Sequence, residues 1–124
     1  GYVGCDIVPQ VVDKARKLHP EREYFVADII TDSLPLVDAV LCRDVLMHLP
    51  VEQGVQALEN LRRTGARWLI TTTFDRGTNK RGIEVGEFYL IKPEDPPFNL
   101  VQLCSIPDNW KWSDKRLGVY KCQV

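Results

Sequence analysis

Short apolar runs, separated by turn residues, divide the chain into alternating predicted strands and helices. The predicted strands are residues 2–6, 23–27, 37–42, 67–74, 100–106 and 117–124. A helix is predicted from Pro9 to the His19-Pro20 step, because Val11, Val12, Ala15 and Leu18 recur at helical spacing. A second helix is predicted at 52–64, with Gly65 as its C-terminal cap, and a short helical turn at 43–49. This order predicts an α/β fold around a parallel sheet, with an antiparallel edge made by the last two strands.

One connection is too long to be a simple turn. Residues 75–99 contain three glycines and three prolines, and only a short apolar patch at 88–91. A connection of this length in a compact domain is usually functional. Its polar residues Asn79, Glu84 and Glu87 are candidates for contact with a substrate. Trp110 and Trp112, in the loop between the last two strands, form an aromatic wall or pack at the edge of the sheet.

Length and charge restrict the class of protein. A chain of 124 residues with a net charge of −1 has the size of one domain and lacks the basic field of a nucleic-acid or membrane-surface binder. No apolar stretch approaches the roughly 20 residues that cross a bilayer. The cysteines lie in apolar β-like runs without metal-site spacing, so we expect no metal site, and buried thiols of a cytoplasmic protein. They are Cys5, Cys42, Cys104 and Cys122.

Two carboxylates follow the first two predicted strands. Asp6 ends the first strand, and Asp28 follows the second, 22 residues later. Ligands of open α/β sheets bind beyond the carboxyl ends of the strands. An acid after one strand can accept hydrogen bonds from both hydroxyls of a ribose, and an acid after the next can reach the amine of adenine. The alternatives are a helix-capping role for Asp6 and an ordinary turn acid at Asp28.

Three segments together resemble the class I S-adenosylmethionine-dependent methyltransferases. They are Val3-Gly4-Cys5-Asp6-Ile7, Val26-Ala27-Asp28-Ile29 and, ten residues further on, residues 40–50 with the sequence VLCRDVLMHLP. The resemblance covers nearly the whole chain. It implies a Rossmann-like three-layer sandwich, with a mostly parallel sheet and an antiparallel C-terminal edge strand.

The resemblance also assigns a cofactor, S-adenosylmethionine, and its binding residues. It implies that Asp6 binds ribose and that Asp28 binds adenine, with the Ile29 backbone N–H meeting a ring nitrogen. Ile7 and Ile29 are adenine walls or plain core residues. Cys42 and Arg43 stand where the strand at 37–42 opens into the cleft. There Arg43 holds the cofactor carboxylate or an acidic substrate, or it is a surface arginine.

The chain departs from that family at its beginning. The family's first strand and Gly-rich turn, which cradle the methionine part of the cofactor, have no counterpart before Asp6. In the family this strand lies between the second and the fourth. Its loss would expose two strand edges, which invite pairing with another chain. We therefore expect a homo-oligomer, or a chain that is incomplete as a catalyst.

The catalytic residues are unknown, with Asp44 and His48 as candidates. They are four positions apart and share a face if their segment is helical, so they could together take a proton from a hydroxyl or amine. A histidine there otherwise caps or packs. One or two of Thr71, Thr72 and Thr73 face a substrate, or all three reflect β propensity.

The resemblance predicts methyl transfer to an unknown small molecule or protein side chain. The sequence lacks the Asn/Asp-Pro-Pro-aromatic motif of enzymes that methylate base amines, and a carboxylate cluster for magnesium. A truncated or degenerate binding module without activity of its own is the main alternative. A nicotinamide dehydrogenase, which would need the Gly-rich turn, and a structural role are the others.

Overall fold

The computed structural model describes residues 1–108, 111 and 114–124, so Trp110 and Trp112 lie outside the described part. The strands are β1 Val3–Asp6, β2 Glu23–Val26, β3 Ala39–Cys42, β4 Trp68–Phe74, β5 Gln102–Pro107 and β6 Lys115–Lys121. The helices are α1 Pro9–Leu18, a short 3₁₀ helix Leu46–His48, and α2 Val51–Arg62. Every strand and helix predicted from the sequence is present, with ends shifted by a few residues.

The strands form two separate sheets in the part of the chain described. β1 and β2 form a parallel pair, and β3, β4, β6 and β5 follow one another in a four-stranded sheet. In this sheet β3 and β4 are parallel, whereas β6 is antiparallel to both β4 and β5. The predicted antiparallel C-terminal edge is therefore present. The prediction of a mostly parallel sheet is wrong for these residues, because parallel and antiparallel pairings are equally frequent.

The main core lies between α2, one face of the four-stranded sheet and the long connection. The helix contributes Leu58 and Leu61, and the sheet contributes Leu69 and Tyr120, all of them buried. Full burial of such a side chain is worth about 1.5–3 kcal/mol relative to exposure. α2 ends at Arg62 with Arg63 as its C-cap, two residues before the predicted end, and Gly65 closes the turn that follows with φ of 76°, a left-handed conformation that glycine adopts without strain.

Two predicted apolar surfaces remain open. On β3, Leu41 is 62% exposed, and Trp68 of β4, on the same face of the sheet, is also exposed. α1 likewise buries only Val12, while Val11 and Leu18 are exposed. The exposure on the sheet is confined to one end of that face, because Thr72 and Phe74, which alternate with Trp68 onto the same face of β4, are buried. The structure thus shows an α/β fold.

The long connection at 75–99 has no helix or strand and packs into the core through Tyr89, Ile91 and Phe98. Asn79 organises it: the side-chain Nδ2 donates to the carbonyls of Lys92, Asp95 and Pro96, and its Oδ1 accepts from the Lys92 N–H. Because these bonds occupy the amide, Asn79 is a structural residue of the loop and was wrongly predicted to face a substrate.

One acidic candidate of the loop, Glu87, bonds to the backbone of the other, Glu84. The carboxylate of Glu87 accepts a hydrogen bond from the backbone N–H of Glu84 at 2.9 Å, which closes a turn.

The expectation that all four thiols are buried is wrong for two of them. Cys42 and Cys122 are buried, but Cys5 on β1 and Cys104 on β5 are exposed.

Candidate cofactor-binding site

The first carboxylate lies at the end of β1. Asp6 pairs in register with Val26 of β2, and Asp28 follows two residues later, so both acids lie at the same edge of the parallel pair. Asp6 Oδ1 accepts the Val8 N–H at 2.9 Å and thereby holds the turn that leads into α1. This bond does not cap α1, because the N-cap residue of that helix is Val8 and no side chain caps it, but the turn occupies one oxygen of Asp6. Asp6 Oδ2 makes no hydrogen bond to the described residues, so it is available to a ligand.

The second carboxylate organises its own turn. Asp28 Oδ1 accepts the Ile30 N–H at 2.8 Å, and the Asp28 N–H donates to Asp32 Oδ2 at 2.8 Å. The Ile29 N–H has no hydrogen-bond partner among residues 1–108, 111 and 114–124. Asp28 therefore offers a free acceptor, Oδ2, beside the free donor of Ile29. Ile7 is 61% exposed and is not a core residue, whereas Ile29 packs against the main core.

Asn60 on α2 contacts this turn and was missed in the sequence. Its side chain is buried, and Nδ2 donates to the carbonyls of Ile29 at 2.9 Å and Asp32 at 2.8 Å. The sequence did indicate a buried role for Asn60, since it stands beside Leu61 on the apolar side of an amphipathic helix. A polar side chain at such a position needs buried partners.

Cys42 ends β3 and is buried. Burial raises the pKa of its thiol to about 12, and the nearby Cys5 adds a smaller effect in the same direction. The thiol therefore stays protonated at neutral pH and is not a nucleophile. The backbone carbonyl of Cys42 accepts a hydrogen bond from the Thr71 hydroxyl at 2.7 Å.

Arg43 points to a protein carboxylate. Its Nε and Nη2 donate to Asp108 Oδ2 at 2.8 Å and Oδ1 at 3.0 Å, a two-pronged ion pair with the far end of β5. This hydrogen bonding raises the pKa of Arg43 and lowers that of Asp108. The guanidinium, predicted to hold a cofactor or substrate carboxylate, is thus already paired within the chain.

Asp44 adopts a left-handed backbone conformation, with φ of 56°. Such a conformation costs a non-glycine residue about 1–2 kcal/mol, although Asp tolerates it better than most. Its N–H donates to Thr72 Oγ1 at 2.8 Å, and its Oδ1 accepts from Thr72 Oγ1 at 3.2 Å and from Lys115 Nζ at 2.7 Å. Lys115 also lies 3.8 Å from Asp108 Oδ2. We call Arg43, Asp44, Thr72, Asp108 and Lys115 the β3-end network.

The three consecutive threonines of β4 are all buried and all bonded within the chain. Thr71 bonds to Cys42, Thr72 to Asp44, and Thr73 Oγ1 donates to a Glu94 carboxylate oxygen at 3.2 Å. None faces a substrate as predicted, because their hydroxyls tie neighbouring segments to the sheet.

His48 has one nitrogen engaged. Its Nδ1 lies 3.0 Å from the Glu87 carbonyl, and its ring makes an edge contact with Phe88. Since a carbonyl oxygen only accepts, Nδ1 carries the proton in the neutral ring and Nε2 carries the lone pair. The predicted Asp44–His48 pair does not form, because the helical turn begins only at Leu46 and the Asp44 carboxylate bonds elsewhere.

The described residues carry neither a cluster of metal ligands nor a membrane-spanning helix. No group of three or more His, Cys, Asp or Glu side chains there is placed to hold a metal ion. No helix among those residues has the length and apolarity to cross a bilayer.

The family is shown by sequence. The model of the methyltransferase domain family matches residues 1–67, more than half of the chain, so the protein belongs to that family. The resemblance to the class I S-adenosylmethionine-dependent methyltransferases is thereby confirmed. A search of curated proteins gives no significant match.

Solved structures share the fold at low sequence identity. The PH0226 protein of Pyrococcus horikoshii OT3 superposes with a TM-score of 0.70 at 16% identity, over 96% of this chain and 70% of that one. The magnesium protoporphyrin IX methyltransferase of Synechocystis PCC 6803, solved with bound S-adenosylmethionine, gives 0.71 at 19%, over 96% and 58%. A TehB-like S-adenosylmethionine-dependent methyltransferase of Corynebacterium glutamicum gives 0.64 at 18%, over 96% and 66%. The chain thus spans between 58% and 70% of the length of these proteins.

Proposed function

We propose that this chain carries the nucleotide-binding part of an S-adenosylmethionine-dependent methyltransferase and takes part in methyl transfer. The observation that carries the proposal is the pair Asp6 and Asp28. They lie at one sheet edge, each with one oxygen fixed by a backbone N–H and the other free. Family membership supports the same activity.

The free groups fit the adenosine part of the cofactor. Asp6 Oδ2 would accept the ribose hydroxyls, Asp28 Oδ2 would accept the adenine amine, and the Ile29 N–H would donate to a ring nitrogen. Ile7, exposed beside Asp6, and Ile29 would flank the adenine ring. The end of β3 at Cys42 and Arg43 would line the path towards the methionine part, with Cys42 acting by contact because its thiol is protonated.

The bound sulfonium supplies an activated methyl group, so the protein needs chiefly to orient an acceptor and exclude water. Orientation can lower the barrier by about 7–11 kcal/mol. His48 Nε2, with its lone pair outward from the Glu87 contact, would take the proton of a hydroxyl or amine acceptor. Asp44, bonded to Lys115 and Thr72, would shape the β3 turn and is the weaker candidate for a base.

A small-molecule acceptor is favoured over a protein side chain. Proteins of similar structure include a magnesium protoporphyrin IX methyltransferase and an O-methyltransferase family 2 protein in complex with apigenin. The net charge of −1 disfavours nucleic acid as the methyl acceptor.

A cytoplasmic location is proposed from the cysteines, which lie in apolar β-like runs without the spacing of a metal site.

The complete domain would be a Rossmann-like three-layer sandwich. In the described chain, β1 and β3 each have one edge without a strand partner. Cys5 on β1 is close enough to Cys42 on β3 to raise the pKa of the Cys42 thiol. This supports the proposal that the family's first strand belongs between them. The same edges support the proposed homo-oligomer, in which a strand from another chain fills that place.

A second candidate function rests on the same divided sheet. A binding module that is inactive by itself would result if neither sheet edge is completed, because the methionine part of the cofactor would lack its cradle. The two candidates differ in whether the chain binds S-adenosylhomocysteine without help.

Calorimetric titration with S-adenosylhomocysteine tests the proposal. We expect micromolar binding that Asp6→Ala abolishes and that Asp6→Asn, which keeps the Val8 bond but loses the charge, weakens. The matched control is Asp13→Asn, an exposed acid on α1, which should bind as the unchanged chain does. No binding by a folded chain would overturn the proposal in favour of the inactive module. Light scattering on the same samples reports the oligomeric state.

A further inference from the structure

We propose that Asn60 is a positioning residue for adenine recognition, acting through the turn at 28–32. The inference rests on the proposed function, because it concerns the base that the same site would read. Asn60 does not touch the ligand in this proposal. It sets the place and direction of the two groups that do, Asp28 Oδ2 and the Ile29 N–H.

The contact is specific and buried. Asn60 is 6% exposed, and the two hydrogens of its Nδ2 match the two carbonyls it meets, those of Ile29 and Asp32. Both carbonyls follow the proposed adenine contacts along the chain: that of Ile29 comes directly after the Ile29 N–H, and that of Asp32 ends the turn. A single amide on α2 thus fastens the turn at two points to the main body of the protein.

The turn needs this fastening because its strand gives it little support. β2 is one of only two strands in its sheet, and Asp28 already lies beyond the end of the pairing. Within the turn, the bonds of Asp28 to Ile30 and Asp32 fix its shape. They do not fix its position relative to the rest of the cleft. Asn60 supplies the side-chain hydrogen bonds between this turn and α2.

The chemistry of the base gives a readout that general destabilisation would not move. Adenine presents an amine donor and an adjacent ring acceptor, which match the Asp28 carboxylate and the Ile29 N–H. Hypoxanthine presents a carbonyl acceptor and a ring N–H donor at the same two positions, so both contacts become mismatched. The ratio of affinities for S-adenosylhomocysteine and S-inosylhomocysteine therefore measures whether the turn is correctly placed.

Calorimetry with these two ligands on the whole chain tests the proposal. The unchanged protein should bind the adenine ligand at least tenfold more tightly. In Asn60→Ala this preference should fall below threefold, mainly through loss of the adenine ligand. Asn60→Asp, which points an acceptor at two carbonyls, should have the same effect. The matched control is Gln56→Ala, one turn earlier on the exposed side of α2. A retained tenfold preference in Asn60→Ala overturns the inference, even if both affinities drop together.

A second measurement separates this inference from the proposed function. Hydrogen exchange of the amides at 28–32, without ligand, should be at least tenfold faster in Asn60→Ala than in Gln56→Ala, with circular dichroism confirming that both are folded. If the unchanged chain binds neither ligand, the proposed function fails for this chain. The hydrogen-exchange rates of the amides at 28–32 then test by themselves whether Asn60 positions the turn. Faster exchange confined to 28–32 then supports the positioning role, and equal exchange in both variants overturns it.

Discussion

Lys115 is the cation at the centre of the β3-end network, and replacing it with methionine tests the electrostatic reasoning most directly. Its side chain is 15% exposed, and its ammonium lies 2.7 Å from Asp44 and 3.8 Å from Asp108. Methionine keeps much of the apolar stem and removes only the charge. The change leaves Asp108 paired with Arg43, and leaves Asp44 with Thr72 and a distant Arg43 Nε at 4.0 Å.

The expected loss lies between the values for surface and buried pairs. Two unit charges at 2.7 Å attract by about 6 kcal/mol at an effective dielectric constant of about 20. Desolvation of the ammonium offsets much of this, and Asp44 is 38% exposed, so water screens the pair. Exposed pairs contribute about 0–1 kcal/mol, and breaking a buried pair costs about 3–5 kcal/mol. We expect Lys115→Met to lower the free energy of unfolding by about 2 kcal/mol.

Urea unfolding followed by circular dichroism measures this loss. Lys121→Met on the same strand is the control, since Lys121 is exposed and makes no ion pair with the described residues. A double-mutant cycle with Asp44→Asn should give a coupling energy of about 1 kcal/mol. A loss of unfolding free energy below about 0.5 kcal/mol, equal to that of the control, would refute the stabilising role of Lys115 in the β3-end network, because this is the range of ordinary surface substitutions.

Two further results are expected. Asp108 has a lowered pKa in the folded chain, so its pair with Arg43 stabilises the protein above the ordinary value of 3.8 and stops doing so as the pH falls through the lowered pKa. Asp108→Asn should therefore reduce stability by up to about 1 kcal/mol at neutral pH and have no effect at the acidic end of a urea series, and a pH-independent loss would contradict this. Titration with a thiol reagent should modify two cysteines in the native protein and the other two only after unfolding. The reactive pair is Cys5 and Cys104, and the protected pair is Cys42 and Cys122.

Local patterns were sufficient to place the helices and strands. α2 follows from apolar residues at helical spacing ahead of Gly65, and β4 from a run of threonines and large apolar residues. Both signals depend on neighbours within a few positions, where the backbone geometry is the same in any fold. The positions of Asp6 and Asp28 at one edge followed from the strand ends for the same reason.

Periodicity could not show which faces are covered. Alternation places Leu41 on the same face of β3 as Ala39, which pairs with Trp68, but whether that face is buried depends on what packs against it. The β3-end network was also invisible in the sequence. Asp44 and Lys115 are far apart along the chain, and their contact exists only because β6 lies beside β4 in antiparallel register. Arg43 was assigned to a ligand because its partner Asp108 could not be foreseen.

The division into two sheets has a thermodynamic consequence. Up to residue 41 the only buried apolar side chains are Val12 and Ala27, and neither belongs to the main core. The segment that carries Asp6 should therefore open as a separate, weakly stable unit while the four-stranded sheet stays folded. A nucleotide held by both acids would bind only the closed form and would stabilise it by mass action. The affinity of the chain for adenosine is then also a measure of how far its first 30 residues are folded before the ligand arrives.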